Sequence, residues 1–111
     1  MKPEDQAEHL LLFVSTAEDA FIKVDIINGL SGYEFSRLRL TASLGRAVLW
    51  TNRTAVPQIV QLNDDVVRLA PGRNEAATVI TRLTEPGEIV ARLRSNRAAS
   101  ITFTVTVESN L

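Results

Sequence analysis

The sequence predicts an all-β protein: an antiparallel Greek-key β-sandwich of about eight strands, one domain over residues 1–111. Three observations carry this. Apolar and β-branched residues come in short runs, several of them alternating with polar residues at the period of a half-buried strand. Turn signatures rich in Gly, Pro, Asn and Asp separate the runs every 8 to 12 residues. No stretch shows a sustained helical period.

Taken in order, residues 1–8 are polar and acidic and are expected to form a flexible lead-in. Leu10 to Val14 is continuously apolar, the pattern of a strand buried on both sides, and Thr16 to Asp19 is a turn. In Phe21 to Ile27, the residues Ile22, Val24 and Ile26 face one way and Lys23 and Asp25 the other. Asn28 to Gly32 is a loop with two glycines able to supply positive φ. Phe35 to Leu40 reads as a strand with Phe35, Leu38 and Leu40 set against Arg37 and Arg39. After the Ser43–Arg46 turn, Ala47 to Thr51 carries the only Trp, and Gln58 to Leu62 is the next strand. Val66 to Leu69, Ala76 to Leu83, Glu88 to Arg94 and Ile101 to Val107 complete the set. Turns at Asn63–Asp65, Ala70–Arg73, Glu85–Gly87 and Ser95–Ser100 divide them.

Composition narrows the chemistry. With 45% apolar and 23% charged residues, the chain can bury one core. A net charge of −1 gives no global basic field, so no nucleic-acid partner is expected. Without cysteine there is no disulfide, no thiolate ligand and no thiol nucleophile; one His and one Met leave few soft metal ligands. No apolar run approaches the roughly 20 residues of a membrane span. Glu4, Asp5 and Glu8 occupy the place where a signal peptide would be cationic. Carboxylates are scattered through turns and the single His9 has no arguable Ser partner, so no catalytic residues are assigned and no enzyme activity is expected.

The order of motifs resembles a known family. Val48-Leu49-Trp50-Thr51-Asn52-Arg53-Thr54-Ala55-Val56-Pro57-Gln58-Ile59-Val60 resembles the cupredoxin segment V-x-W-x-N-x-D-x-x-P-H-x-V. Leu69-Ala70-Pro71-Gly72 is similar to the L-x-P-G turn of that family, and Thr84 to Ile89 to its F-x-x-P-G-x-Y turn. Thr102 to Val107 resembles its terminal strand. The resemblance covers roughly residues 20 to 107 and implies a plastocyanin- or azurin-type sandwich. It breaks at the ligands. The first copper His falls on Gln58, the Cys on Leu93, the second His on Asn96 and the axial Met on Ala99. A blue-copper centre needs a thiolate and two imidazoles. The expectation is therefore a copper-free domain with no cofactor and no electron-transfer role. An immunoglobulin-like sandwich is the competing reading, without the Cys…Trp…Cys spacing of its true members.

The residues that rise above background are arginines near the end where copper would lie. Arg53, Arg92, Arg94 and Arg97, with Gln58 and Asn96, make up the candidate binding surface. Guanidinium groups suit carboxylate or phosphate, although outward arginines also serve solubility and blunt sheet edges. The expected function is a non-enzymatic interaction or structural module, meeting an unknown protein partner or a second copy. Leu10 to Val14 lies outside the matched region and offers a further self-association strand. The alternative is a small-ligand site, for an anion or a non-blue metal, around Gln58, Arg92 and Asn96. Trp50 is expected in the core. Asn52-Arg53-Thr54 matches a glycosylation sequon, yet Asn52 is expected to bridge the loop backbone instead. Asp64 and Asp65 are read as a solvated turn rather than a calcium site. The resemblance implies a periplasmic or extracellular location if a signal peptide has been removed, and a cytoplasmic one otherwise.

Overall fold

The structure is a computed structural model and describes residues 21–107. The expected lead-in, the Leu10–Val14 strand, His9 and the Thr16–Asp19 turn lie outside the described residues. One sheet has the order β2-β1-β4-β7, built from β1 (Phe21–Gly29), β2 (Gly32–Phe35), β4 (Ala47–Asn52) and β7 (Thr78–Arg82). The other has the order β3-β9-β8-β5-β6. Its strands are β3 (Arg39–Ser43), β5 (Gln58–Gln61), β6 (Val66–Leu69), β8 (Gly87–Leu93) and β9 (Ser100–Thr106).

The sandwich stands as expected, but its sheets are mixed. β1 pairs with β4, and β3 with β9, in parallel; the remaining pairings are antiparallel. The cause is the route of the chain. After the β1–β2 hairpin it leaves for the second sheet as β3 and returns as β4, and such an excursion brings a strand back in the same heading. The hairpin itself turns on Leu30 and Ser31, with Gly32 at φ +120°, a conformation that L side chains rarely adopt.

Inward residues from both sheets meet around Trp50, which is 1% exposed. Phe35 and Phe103 approach its ring edge-on, at centroid separations of 6.1 and 5.8 Å. Edge-to-face contact places a positive ring edge on a negative ring face and adds to what burial alone contributes. The indole N–H donates to Thr81 Oγ1 at 2.8 Å, so the only Trp brings no unpaired donor into the core. Ile22, Val24 and Ile26 face inward from β1, and Ile101, Phe103 and Val105 from β9, as their alternation requires.

Most strand bounds shift by one or two residues, and two departures from the sequence reading go further. Phe35 to Leu40 is not one strand: β2 ends at Phe35 and β3 begins at Arg39. Between them Ser36 N donates to Asp25 O and Ser36 Oγ accepts from Asp25 N, both at 2.8 Å, while Leu38 O accepts from Thr102 N. The chain crosses between sheets here, and Leu38 is left 75% exposed. The strand expected from Ala76 begins at Thr78. Glu75–Ala77 is a 3-10 turn capped by Asn74, whose side chain accepts from Ala76 N.

Phe103→Ala is therefore expected to cost about 3–5 kcal/mol, whereas Leu38→Ser stays within about 0.5 kcal/mol. Urea unfolding of the two variants measures both. Comparable losses would put Leu38 in the core after all.

Candidate functional site

At the end of β4 the chain must turn, pass Pro57 and re-enter the second sheet as β5. Three polar side chains there are buried: Asn52, Thr54 and Gln58, at 0, 2 and 1% exposure. Asn52 Nδ2 donates to Val56 O at 2.8 Å and to Ala70 O at 2.9 Å. Its Oδ1 accepts from Thr54 N at 2.9 Å and lies 2.7 Å from Thr54 Oγ1. Gln58 Nε2 donates to Thr54 Oγ1 at 3.2 Å, and Gln58 Oε1 accepts from Ser95 Oγ at 2.6 Å. The network thus runs from β4 through the loop and β5 to the turn after β8. Among the described residues, no buried side-chain N or O lacks a hydrogen-bond partner.

The turn after β6 closes on this loop through a glycine. Gly72 N donates to Thr54 O at 3.0 Å, and a Cβ on Gly72 would lie 2.8 Å from Asn52 O. Such an approach leaves room for hydrogen only. Burial of Asn52 also disposes of the sequon, because both amide hydrogens are committed to carbonyls inside the folded protein. Asn52 bridges the backbone, as expected.

The positions where the resemblance places copper ligands do not fit copper. Both ends of the Gln58 carboxamide are engaged, Leu93 is a core hydrocarbon at 1% exposure, and Ala99 has only a methyl group. Asn96 pins a turn: its Nδ2 donates to Tyr33 O at 3.0 Å and its Oδ1 accepts from Ala98 N at 3.3 Å. Among the described residues, no group of three or more His, Cys, Asp or Glu side chains converges to hold a metal. Ser95 offers no activated nucleophile, since its hydroxyl points to an amide oxygen rather than to a base.

The candidate surface resolves into separate parts. Gln58 lies inside the network, and Asn96 borders a different depression, beside Phe35 and Leu38. Arg53 turns to the first sheet, where its Nε meets Asp25 Oδ2 at 2.8 Å, with the two side chains 62% and 28% exposed. An ion pair that open is worth about 0–1 kcal/mol. Arg92, Arg94 and Arg97 do come together around a shallow depression with Gln61. Arg94 Nη2 lies 3.4 Å from Gln61 Oε1.

Two further arginines, passed over in the sequence, share the outer face of the five-stranded sheet. Arg68 on β6 stands opposite Ile59, whose carbonyl accepts from Arg94 N. Arg39 on β3 stands opposite Thr102, which neighbours Val90 on β8. Their signal was available in the alternation, since Val67 and Leu69 face inward and leave Arg68 outside. By register, the acidic residue of these strands on this face is Glu88, opposite Thr104.

No family model matches the sequence, and no curated protein does either. Solved structures do match. An oxidised proline-to-alanine variant of amicyanin aligns at a TM-score of 0.62 with 19% identity, over 79% of this chain and 84% of that one. A Cu(I) methionine-to-alanine variant of amicyanin gives 0.61 and 19%, over 77% and 81%. A second Cu(I) methionine-to-alanine variant gives 0.62 and 18%, over 78% and 83%. Amicyanin is a cupredoxin, and this chain has the cupredoxin fold.

Asn52→Ala would strand Ala70 O and Thr54 N and leave Val56 O with Thr54 Oγ1 alone, 3.1 Å away, a loss of about 2–4 kcal/mol by denaturant unfolding. Asn52→Asp should be worse at neutral pH, because a carboxylate would face the two carbonyl oxygens. That burial raises the folded-state pKa of the new acid, so the stability it retains is present at low pH and is lost as pH rises. A pH series of Asn52→Asp unfolding curves with no recovery towards acid would contradict the network.

Proposed function

We propose that the chain is a non-enzymatic interaction module that docks an acidic protein surface on the outer face of its five-stranded sheet. The observation that carries this is the placement of Arg39, Arg68, Arg92, Arg94 and Arg97 on or beside one face with Glu88 as the facing strand carboxylate. All five arginines are exposed. Five strands at about 4.8 Å spacing make a platform roughly 19 Å across. Residues 21–107 hold eleven basic side chains against seven acidic ones, a local charge of +4 inside a chain whose net charge is −1.

The face mixes charge with some apolar surface, as protein interfaces do. Half-buried Ile59 and Val90 lie among the arginines as separate apolar points, four residues apart in register with Arg92 between them. It carries no aromatic side chain among its outward strand residues, and so no platform for stacking bases. Planar guanidinium forks suit carboxylates in bidentate geometry. A small-ligand site at Gln58 is less well supported, because that carboxamide has its partners within the protein.

Polyglutamate and duplex DNA are the probes, followed through backbone amide shifts at one ionic strength. Polyglutamate should perturb β5, β6, β8 and β9, and the pair Arg92→Ala with Arg94→Ala should weaken it about tenfold, each charge contributing up to roughly 1 kcal/mol. Folding stability should change by less than about 0.5 kcal/mol. Preference for DNA, shifts confined to residues 53–58, or self-association of the free protein through this face in sedimentation would each replace the proposed partner.

A further inference from the structure

A cleft of about 170 Å3 reaches in between the two sheets at the opposite end of β5 from Gln58. Trp50, Leu83 and Phe103 close its floor, and half-buried Leu62 and Ile89 form its walls. Its mouth is acidic. Asp64 and Asp65 stand on the β5–β6 turn and Glu85 on the β7–β8 turn. Among the described residues, none of these three carboxylates has an ion-pair partner. Among the described residues Arg82 is the one cation on the rim, and its Nη1 donates to Gly45 O at 3.0 Å.

We propose that this cleft is a binding site for a small organic cation with a compact apolar body, a primary amine of about benzylamine's size. Volume sets the body: an apolar cavity of about 150 Å3 accepts a benzene ring. The lining is mixed, and its apolar part, Leu62, Ile89 and the floor, favours a group that leaves water, the indole N–H being already held by Thr81 Oγ1. Charge sets the other end. Three carboxylates against one committed guanidinium leave a negative mouth, which an ammonium group seated there would offset and a carboxylate would oppose. The site is independent of the arginine face, which belongs to the outer surface of one sheet.

Trp50 is the only Trp in the chain, so its fluorescence reports on the cleft directly. The intact chain is titrated with benzylamine, benzyl alcohol and phenylacetate, matched in ring and differing in charge. Benzylamine should give a saturable change with a Kd on the order of 1 mM, reasonable for eight heavy atoms. Benzyl alcohol should bind several-fold more weakly and phenylacetate about tenfold more weakly or not at all. The triple variant Asp64→Asn, Asp65→Asn, Glu85→Gln, made only at exposed positions, should bring benzylamine down to the level of benzyl alcohol and leave the alcohol unchanged. Equal binding of the three compounds, no binding of benzylamine, or full benzylamine affinity in the triple variant would overturn the proposal.

Discussion

The carboxamide of Asn52 ties together three pieces of chain that are distant in sequence: the end of β4, the loop to Pro57 and the turn after β6. Much of the loop end depends on that one side chain. A buried loop must find partners for its own N–H and C=O groups, and each one left unmet costs about 1–3 kcal/mol. Asn52 meets two carbonyls and one amide with a single planar group. Thr54 and Gln58 then extend the network to Ser95 on the turn after β8. Gly72 lets the β6 turn close to within hydrogen-bonding distance of Thr54 O.

This arrangement separates fold from chemistry. In the cupredoxin-like reading, the loop end around Gln58 and the β8–β9 turn is where a metal would be held. Here the same loops are joined by two amides and two hydroxyls, which are hydrogen-bonding groups partnered with one another rather than ligands awaiting an ion. A polar network of this kind serves order: with every buried side-chain N and O partnered, it fixes loop conformation. Unspent chemistry lies elsewhere, on the arginine face and at the acid-mouthed cleft.

Strand positions were legible because the period-two pattern reports burial directly: Val66 to Leu69 carries the same bounds in sequence and structure. The error at Phe35 to Leu40 was also visible in principle. Phe35, Arg37 and Arg39 share one parity and Leu38 and Leu40 the other, so no single strand could bury Phe35 with Leu40 and expose both arginines. The parity break marks the crossover. Parallel pairing of β1 with β4 had no local signal, since strand direction follows from the route between sheets rather than from residue type. The candidate site was legible only in part. Charge averaged over the whole chain hid a basic body behind acidic residues before Phe21. The expected convergence of loops at the copper end likewise grouped Arg53 with Arg92, although Arg53 pairs with Asp25 on the other sheet. The cleft could not be read from sequence, because its walls come from both sheets and its rim from two turns.

The side-chain NH2 protons of Asn52 and Gln58 report most directly on whether this end of the sandwich is closed. Solvent exchange of those protons, followed by NMR with and without stoichiometric copper(I) and copper(II), should be slow for both carboxamides, and their resonances should stay in place when copper is added. Rapid exchange together with a one-to-one shift on adding copper would show an open, ligating site, and would contradict the closed network from which the rest of the structure has been interpreted.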